Sequence, residues 1–191
     1  MINTVITLTH PSCIDTERHA IILSSLVKGV PPVFCSSFLK LHQWICVGIE
    51  DELEGEAVCK LAKACADAGF THGWSVEIPW NAEQEIVASY QHRLTDIDIK
   101  SVTKNAYLGS CYVIVEESLQ FAVASDGDLY WMLAGPQAFV EASIDCSVKM
   151  QLSAFDAVVA SYNSHKSLAG ERLAIVQKLS RNCYQEANDC C

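Results

Sequence analysis

The stretch YLGSCYVIVEESLQFAVASDGDLYWMLA, residues 107–134, carries the clearest structural signal in the chain. It holds three apolar runs, 107–116, 118–125 and 129–134, separated by the polar segments Glu116-Glu117-Ser118 and Ser125-Asp126-Gly127-Asp128. Val, Ile, Tyr, Phe and Trp suit a pleated, packed surface. Asp-Gly between such runs signals a hairpin, because a type I′ turn needs positive φ at both central residues. The three runs therefore predict an antiparallel meander.

Downstream, Gly135-Pro136 opens a short helix with Pro at its first position and Phe139, Val140 and Ile144 on its inner side. Two more helices are expected over 152–162 (Leu152, Phe155, Val158, Val159) and 168–184 (Leu173, Val176, Leu179). Upstream, residues 95–105 read as a polar connection, and Asn81 with Gln84 starts a helix reaching about Leu94 and burying Ile86, Val87 and Tyr90. Gly73 to Pro79 and Gln43 to Ile49 read as strands. Between them, Asp51 and Glu54 have capping-box spacing before an apolar face of Leu53, Ala57, Val58, Leu61, Ala64, Cys65 and Ala68 that ends at Gly69. Residues 33–41 fit neither period, residues 2–9 alternate like a half-buried strand, and Ser12 with Asp15 starts a helix that stops near Gly29. The expected fold is α+β: a meander at about 107–134 plus additional strands, flanked by amphipathic helices, in a single domain over 1–191.

At 191 residues, half of them apolar, the chain can bury a core without disulfides or a structural metal. Its first residues show no basic, apolar leader, and the apolar run Ala20 to Val27 is too short to span a bilayer. The ten cysteines lie mostly inside apolar patterns and read as small buried hydrophobes in a reducing, cytoplasmic setting.

Motifs for chemistry are few. No Gly-rich phosphate loop, CxxC pair or HExxH is present, so no cofactor and no metal site is expected. Gly109-Ser110-Cys111-Tyr112 superficially resembles the run before a papain-type nucleophile, but such a cysteine heads a helix, and Cys111 enters a β-rich run. Glu83 and Glu85 beside Trp80 fall where a helix dipole alone favours acids. Asp126-Gly127-Asp128 lacks the remaining oxygen ligands of a calcium loop. The terminal Cys190-Cys191 resembles a doubly prenylated end, without any nucleotide motif beside it.

Charge is the residual signal. The net charge is −10, and residues 50–98 hold eleven acids against Lys60, Lys63 and Arg93. Residues 105–148 hold six acids and no Lys or Arg, where average composition supplies about five. Nucleic-acid binding is disfavoured, since phosphate contacts need cations. The expectation is a negative face that meets a basic protein, with Glu50, Asp51, Glu52, Glu54, Glu56, Glu116, Glu117, Asp126 and Asp128 as contacts and Trp131 or Tyr130 as an exposed aromatic anchor. The concrete version is a non-enzymatic inhibitor of a basic toxin or nuclease. Bacterial immunity proteins are of this general sort; the likeness is one of size, charge and missing motifs, not of sequence. The alternatives are a small hydrolase or transferase drawing on His72, Trp74, Trp80, Glu83 and Cys111, and a subunit of a larger assembly.

Overall fold

The computed structural model describes residues 13–29, 31–50, 52–78, 89–105, 111–163 and 167–189. In chain order these form α1 (Cys13–Leu26), β1 (Val27–Lys28), β2 (Val33–Phe34), α2 (Ser36–His42), β3 (Ile45–Glu50), α3 (Gly55–Asp67), β4 (His72–Ile78), β5 (Ser89–Arg93), α4 (Asp96–Asn105), β6 (Cys111–Glu116), β7 (Ala122–Ser125), β8 (Tyr130–Gly135), α5 (Gln137–Ile144), α6 (Val148–Asn163) and α7 (Leu168–Asp189). β1 and β2 form a small hairpin, and the other six strands form one antiparallel sheet in the order β3-β8-β7-β6-β4-β5. The α+β fold with the meander β6-β7-β8 at its centre is as expected.

Both faces of this sheet are covered, so its central strands do not alternate apolar with polar. Val113, Val115, Ala122, Ala124, Tyr130, Met132 and Ala134 face a layer built from α1, α2, α6 and α7. Tyr112, Ile114, Phe121, Val123, Trp131 and Leu133 face α3, α4 and α5. On that second face Phe121 stacks on Phe139 at 4.5 Å between ring centres, and Phe70 closes the cluster. The edge strand β3 is guarded from α6: Gln151 Nε2 donates to the Gly48 carbonyl at 2.9 Å.

Several local expectations are corrected. Residues 89–93 are a strand, not the end of a helix, because pairing with β4 over Gly73↔His92 and Ser75↔Tyr90 outweighs local pattern; residues 79–88 of that expected helix, and the expected strand at 2–9, lie outside the described residues. Residues 96–105 are helix α4 rather than a connection. Thr95 Oγ1 accepts the Asp98 amide at 3.2 Å and donates to the Asp98 carboxylate at 2.7 Å, and Ile99 is fully buried beneath the helix. Of the expected Asp51–Glu54 capping box, Asp51 lies outside the described residues. Glu54 is itself the N-cap residue, without a side-chain cap, and the chain turns into α3 at Gly55, whose φ of +52° suits glycine. Nor is 126–127 a two-residue I′ turn: the Asp126 amide reaches the Tyr130 carbonyl at 3.2 Å around a longer loop, in which Gly127 has positive φ.

Candidate functional site

With both sheet faces buried, the sheet is reachable from outside mainly at its two ends, and strand register decides what meets at each. Glu50 lies opposite Tyr130, Tyr112 opposite Ser125, and Ile78 opposite Cys111. The end of β3, the 126–129 loop, the start of β6 and the end of β4 therefore share one end. Ile45 lies opposite Gly135, Gly73 opposite Glu116, and His72 opposite Arg93. The β6–β7 turn thus sits at the other end, about 17 Å away at the usual strand rise.

This register divides the predicted acidic face. Glu50 and Asp128 lie at the 126–129 end, where the Glu52 charge also bears on Tyr112, and Glu54 follows as the N-cap of α3; Glu116 and Glu117 go to the opposite end. Asp51 lies outside the described residues. The carboxylates of Glu50, Glu52, Glu54 and Asp128 make no hydrogen bond or ion pair among the described residues, and all but the half-buried Glu50 are exposed. Glu56 instead pairs with Lys60 at 3.0 Å, and Lys60 also reaches Asp145 at 3.7 Å.

Four of the predicted contact residues are interior groups. Glu116 is buried, its Oε2 accepting the amides of Ser118 at 2.7 Å and Gln120 at 3.1 Å. Asp126 is fully buried, and its Oδ1 takes the amides of Asp128, Leu129 and Tyr130 at 3.1, 2.7 and 3.0 Å. Both acids tie turns shut. Trp131 packs under α3–α5 and Tyr130 under the opposite layer, so neither is an exposed anchor. Glu117 is exposed and accepts a hydrogen bond from Gln91 Nε2 at 3.3 Å.

Behind the 126–129 loop lies a polar cluster that the sequence did not announce. The Cys111 thiol donates to the Asp126 carbonyl at 3.7 Å. Burial raises the Tyr130 phenol above its ordinary range, the Asp126 and Cys111 charges add to this, and the Arg172 guanidinium opposes it. Arg172 is thus a base brought in by α7, close enough to act on Tyr130 and Cys111 and 42 residues from Tyr130 in sequence (172 − 130). Asp126 Oδ2 and the Tyr130 hydroxyl are buried without a hydrogen-bond partner.

The residues named for the enzyme alternative are placed as follows. His72 and Cys111 stand at opposite ends of the sheet, and burial pushes the Cys111 thiol up to about 12, so it is no thiolate at neutral pH. Trp74 is buried and stacks on His19 at 4.1 Å, while His19 Nδ1 lies 2.6 Å from Ser89 Oγ. Trp80 and Glu83 lie outside the described residues. The His19–Ser89 contact spans 70 residues, and no sequence spacing points to it. Among the described residues no three His, Cys, Asp or Glu side chains converge as metal ligands, and no helix is long and apolar enough to cross a membrane. Compared with protein-family models, curated proteins and solved structures, the chain finds no match.

Proposed function

We propose that the chain is a non-enzymatic, acidic protein-binding module of the cytoplasm, and that it covers a basic surface of a partner protein with the 126–129 end of its sheet. An immunity-type inhibitor of a basic toxin or nuclease is the concrete form. The contact set is Glu50, Glu52, Glu54 and Asp128. The observation that carries the reading is the register: Glu50 ends β3 opposite Tyr130, Asp128 sits in the loop before β8 at the same sheet end, and Glu52 and Glu54 follow Glu50 in the chain, all without cationic partners among the described residues. Unpaired surface carboxylates in one patch raise the encounter rate with a polycation and fix its orientation. The same patch repels nucleic-acid phosphates.

The test is capture from the native host with tagged protein, at low and at high salt. A basic protein should be retained at low salt and released at high salt. Replacing Glu50, Glu52, Glu54 and Asp128 by their amides should abolish the capture, while Glu117→Gln, at the other end of the sheet, should leave it intact. Equal capture by both variants, or capture only of neutral or acidic proteins, removes the proposal.

A further inference from the structure

Two thiols far apart in sequence meet where α7 crosses β3. Cys46 and Gly48 are alternate residues of β3 and point to the same face, towards α6 and α7. At Gly48 the layers approach so closely that a Cβ there would lie 2.6 Å from Val176 Cγ1 and 2.8 Å from Phe155 Cζ. One turn along α7 from Val176 comes Ser180, fully buried, whose Oγ accepts from the Cys46 thiol at 3.9 Å. Cys183, three residues further, lies on the same helix face. It is 9% exposed and belongs to the same buried cluster as Cys46. A glycine and a serine at the crossing thus let the helix settle low on β3, which brings Cys183 to the side of Cys46.

We infer that Cys46 and Cys183 are a reversible dithiol–disulfide pair that locks α7 onto the edge strand β3 when the chain meets a low-molecular-weight disulfide such as oxidised glutathione. Cys183 is the more accessible of the two, Cys46 being fully buried, and its interaction with Cys46 holds it below the ordinary thiol range, so Cys183 is the attacking sulfur. Its thiolate attacks one sulfur of the oxidant, forming a mixed disulfide and releasing one glutathione thiolate. Cys46 then gives up its proton and attacks the Cys183 sulfur, forming the internal disulfide and expelling the second glutathione. Two protein thiols and one oxidised glutathione become one protein disulfide and two reduced glutathiones. Neither the acidic contact set nor the proposed partner enters this inference.

The test uses the full-length native chain equilibrated with graded ratios of oxidised to reduced glutathione, quenched with acid, alkylated and digested without reductant. A peptide pair joining Cys46 to Cys183, two hydrogens lighter than the separate peptides, should appear as the ratio rises and vanish when it is reversed. In Cys183→Ser that pair should be absent. The inference is overturned if Cys46 and Cys183 stay free when the exposed Cys59 is already glutathionylated. It is equally overturned if Cys46 links to any other cysteine, Cys190 and Cys191 included, or if the pair forms only in unfolded protein.

Discussion

Asp126→Ala should be the most damaging single change at the 126–129 loop, and Asp126→Asn close to harmless. The wild-type Oδ1 receives the amides of Asp128, Leu129 and Tyr130 at 3.1, 2.7 and 3.0 Å. The Tyr130 amide is buried, so losing a charged acceptor there costs about 1.5–3 kcal/mol. The other two amides are only partly buried, and water replaces the carboxylate at roughly 0.5–1 kcal/mol each. Against this stands the removal of Oδ2, buried and without a partner, whose loss returns about 1–2 kcal/mol. The net for Ala is about 0.5–4 kcal/mol, centred near 2, which in a chain of this size lowers the melting temperature by roughly 1–15 °C. Asn keeps the accepting oxygen and exchanges the buried, unpartnered one for an NH2 without burying a charge, so its cost should stay within about 1 kcal/mol. Urea unfolding of the three proteins, followed by the fluorescence of buried Trp131 and Trp74, measures both differences. Ala within 0.5 kcal/mol of wild type (roughly the smallest meaningful loss of a hydrogen bond), or Asn as costly as Ala, would refute the assignment of Asp126 as the acceptor that closes this loop.

Three further outcomes follow from the same structure. Burial holds the His92 ring below its ordinary pKa, the Arg93 carbonyl and the Asp98 charge opposing this and the His72 charge adding to it. The unfolded chain then binds the proton more readily, so stability should fall as pH drops through the ordinary histidine range near 6.5 and level off below the depressed folded value; if His92→Gln gives a stability–pH curve parallel to wild type between pH 7.5 and 5, the ring is not responsible. Gly48→Ala should cost about 1–3 kcal/mol in urea unfolding by overpacking against Val176 and Phe155, and should also lower the yield of the Cys46–Cys183 disulfide; unchanged stability would mean that α7 does not press on β3 as described. At pH 7.5, iodoacetamide should modify exposed Cys59 in the native chain while sparing Cys65 and Cys111, whose thiols burial pushes up to about 12; early labelling of either buried thiol, read by peptide mapping, would contradict their placement.

The centre of the sheet was legible in the sequence because it is local. The runs of 107–134 and the polar segments between them place three consecutive strands side by side. The neighbours of that meander were not legible: β3 joins β8, and β4 joins β6, through pairings such as Ile49↔Trp131 and Val76↔Val113, 82 and 37 residues apart (131 − 49 and 113 − 76), that no local pattern encodes. β5 was read as helix because SYQHR has no strong strand propensity of its own and becomes a strand through β4. Helix α4 is the opposite case. Thr95 and Asp98, three apart before Ile99, are a capping signal present in the sequence and passed over because the segment is polar.

The missing cations of residues 105–148 have a structural cause that the charge count could not supply. This stretch builds β6, β7 and β8, and every residue of those three strands is buried between two helical layers. Lysine is absent there because a strand covered on both faces has no wet side on which to place it. That part of the charge asymmetry is a property of the core and says nothing of a partner. What remains for recognition is decided by strand parity. In an antiparallel meander successive loops alternate between ends, so Glu117 and Asp128, eleven residues apart, face opposite ways (128 − 117). Glu50, distant in sequence, joins Asp128 because β3 runs antiparallel to β8. A binding surface on this fold is therefore a set of loops of equal parity. The contrast between Glu117→Gln and Asp128→Asn, one charge removed from each end at equal cost to net charge, asks whether the partner senses that end or only the total.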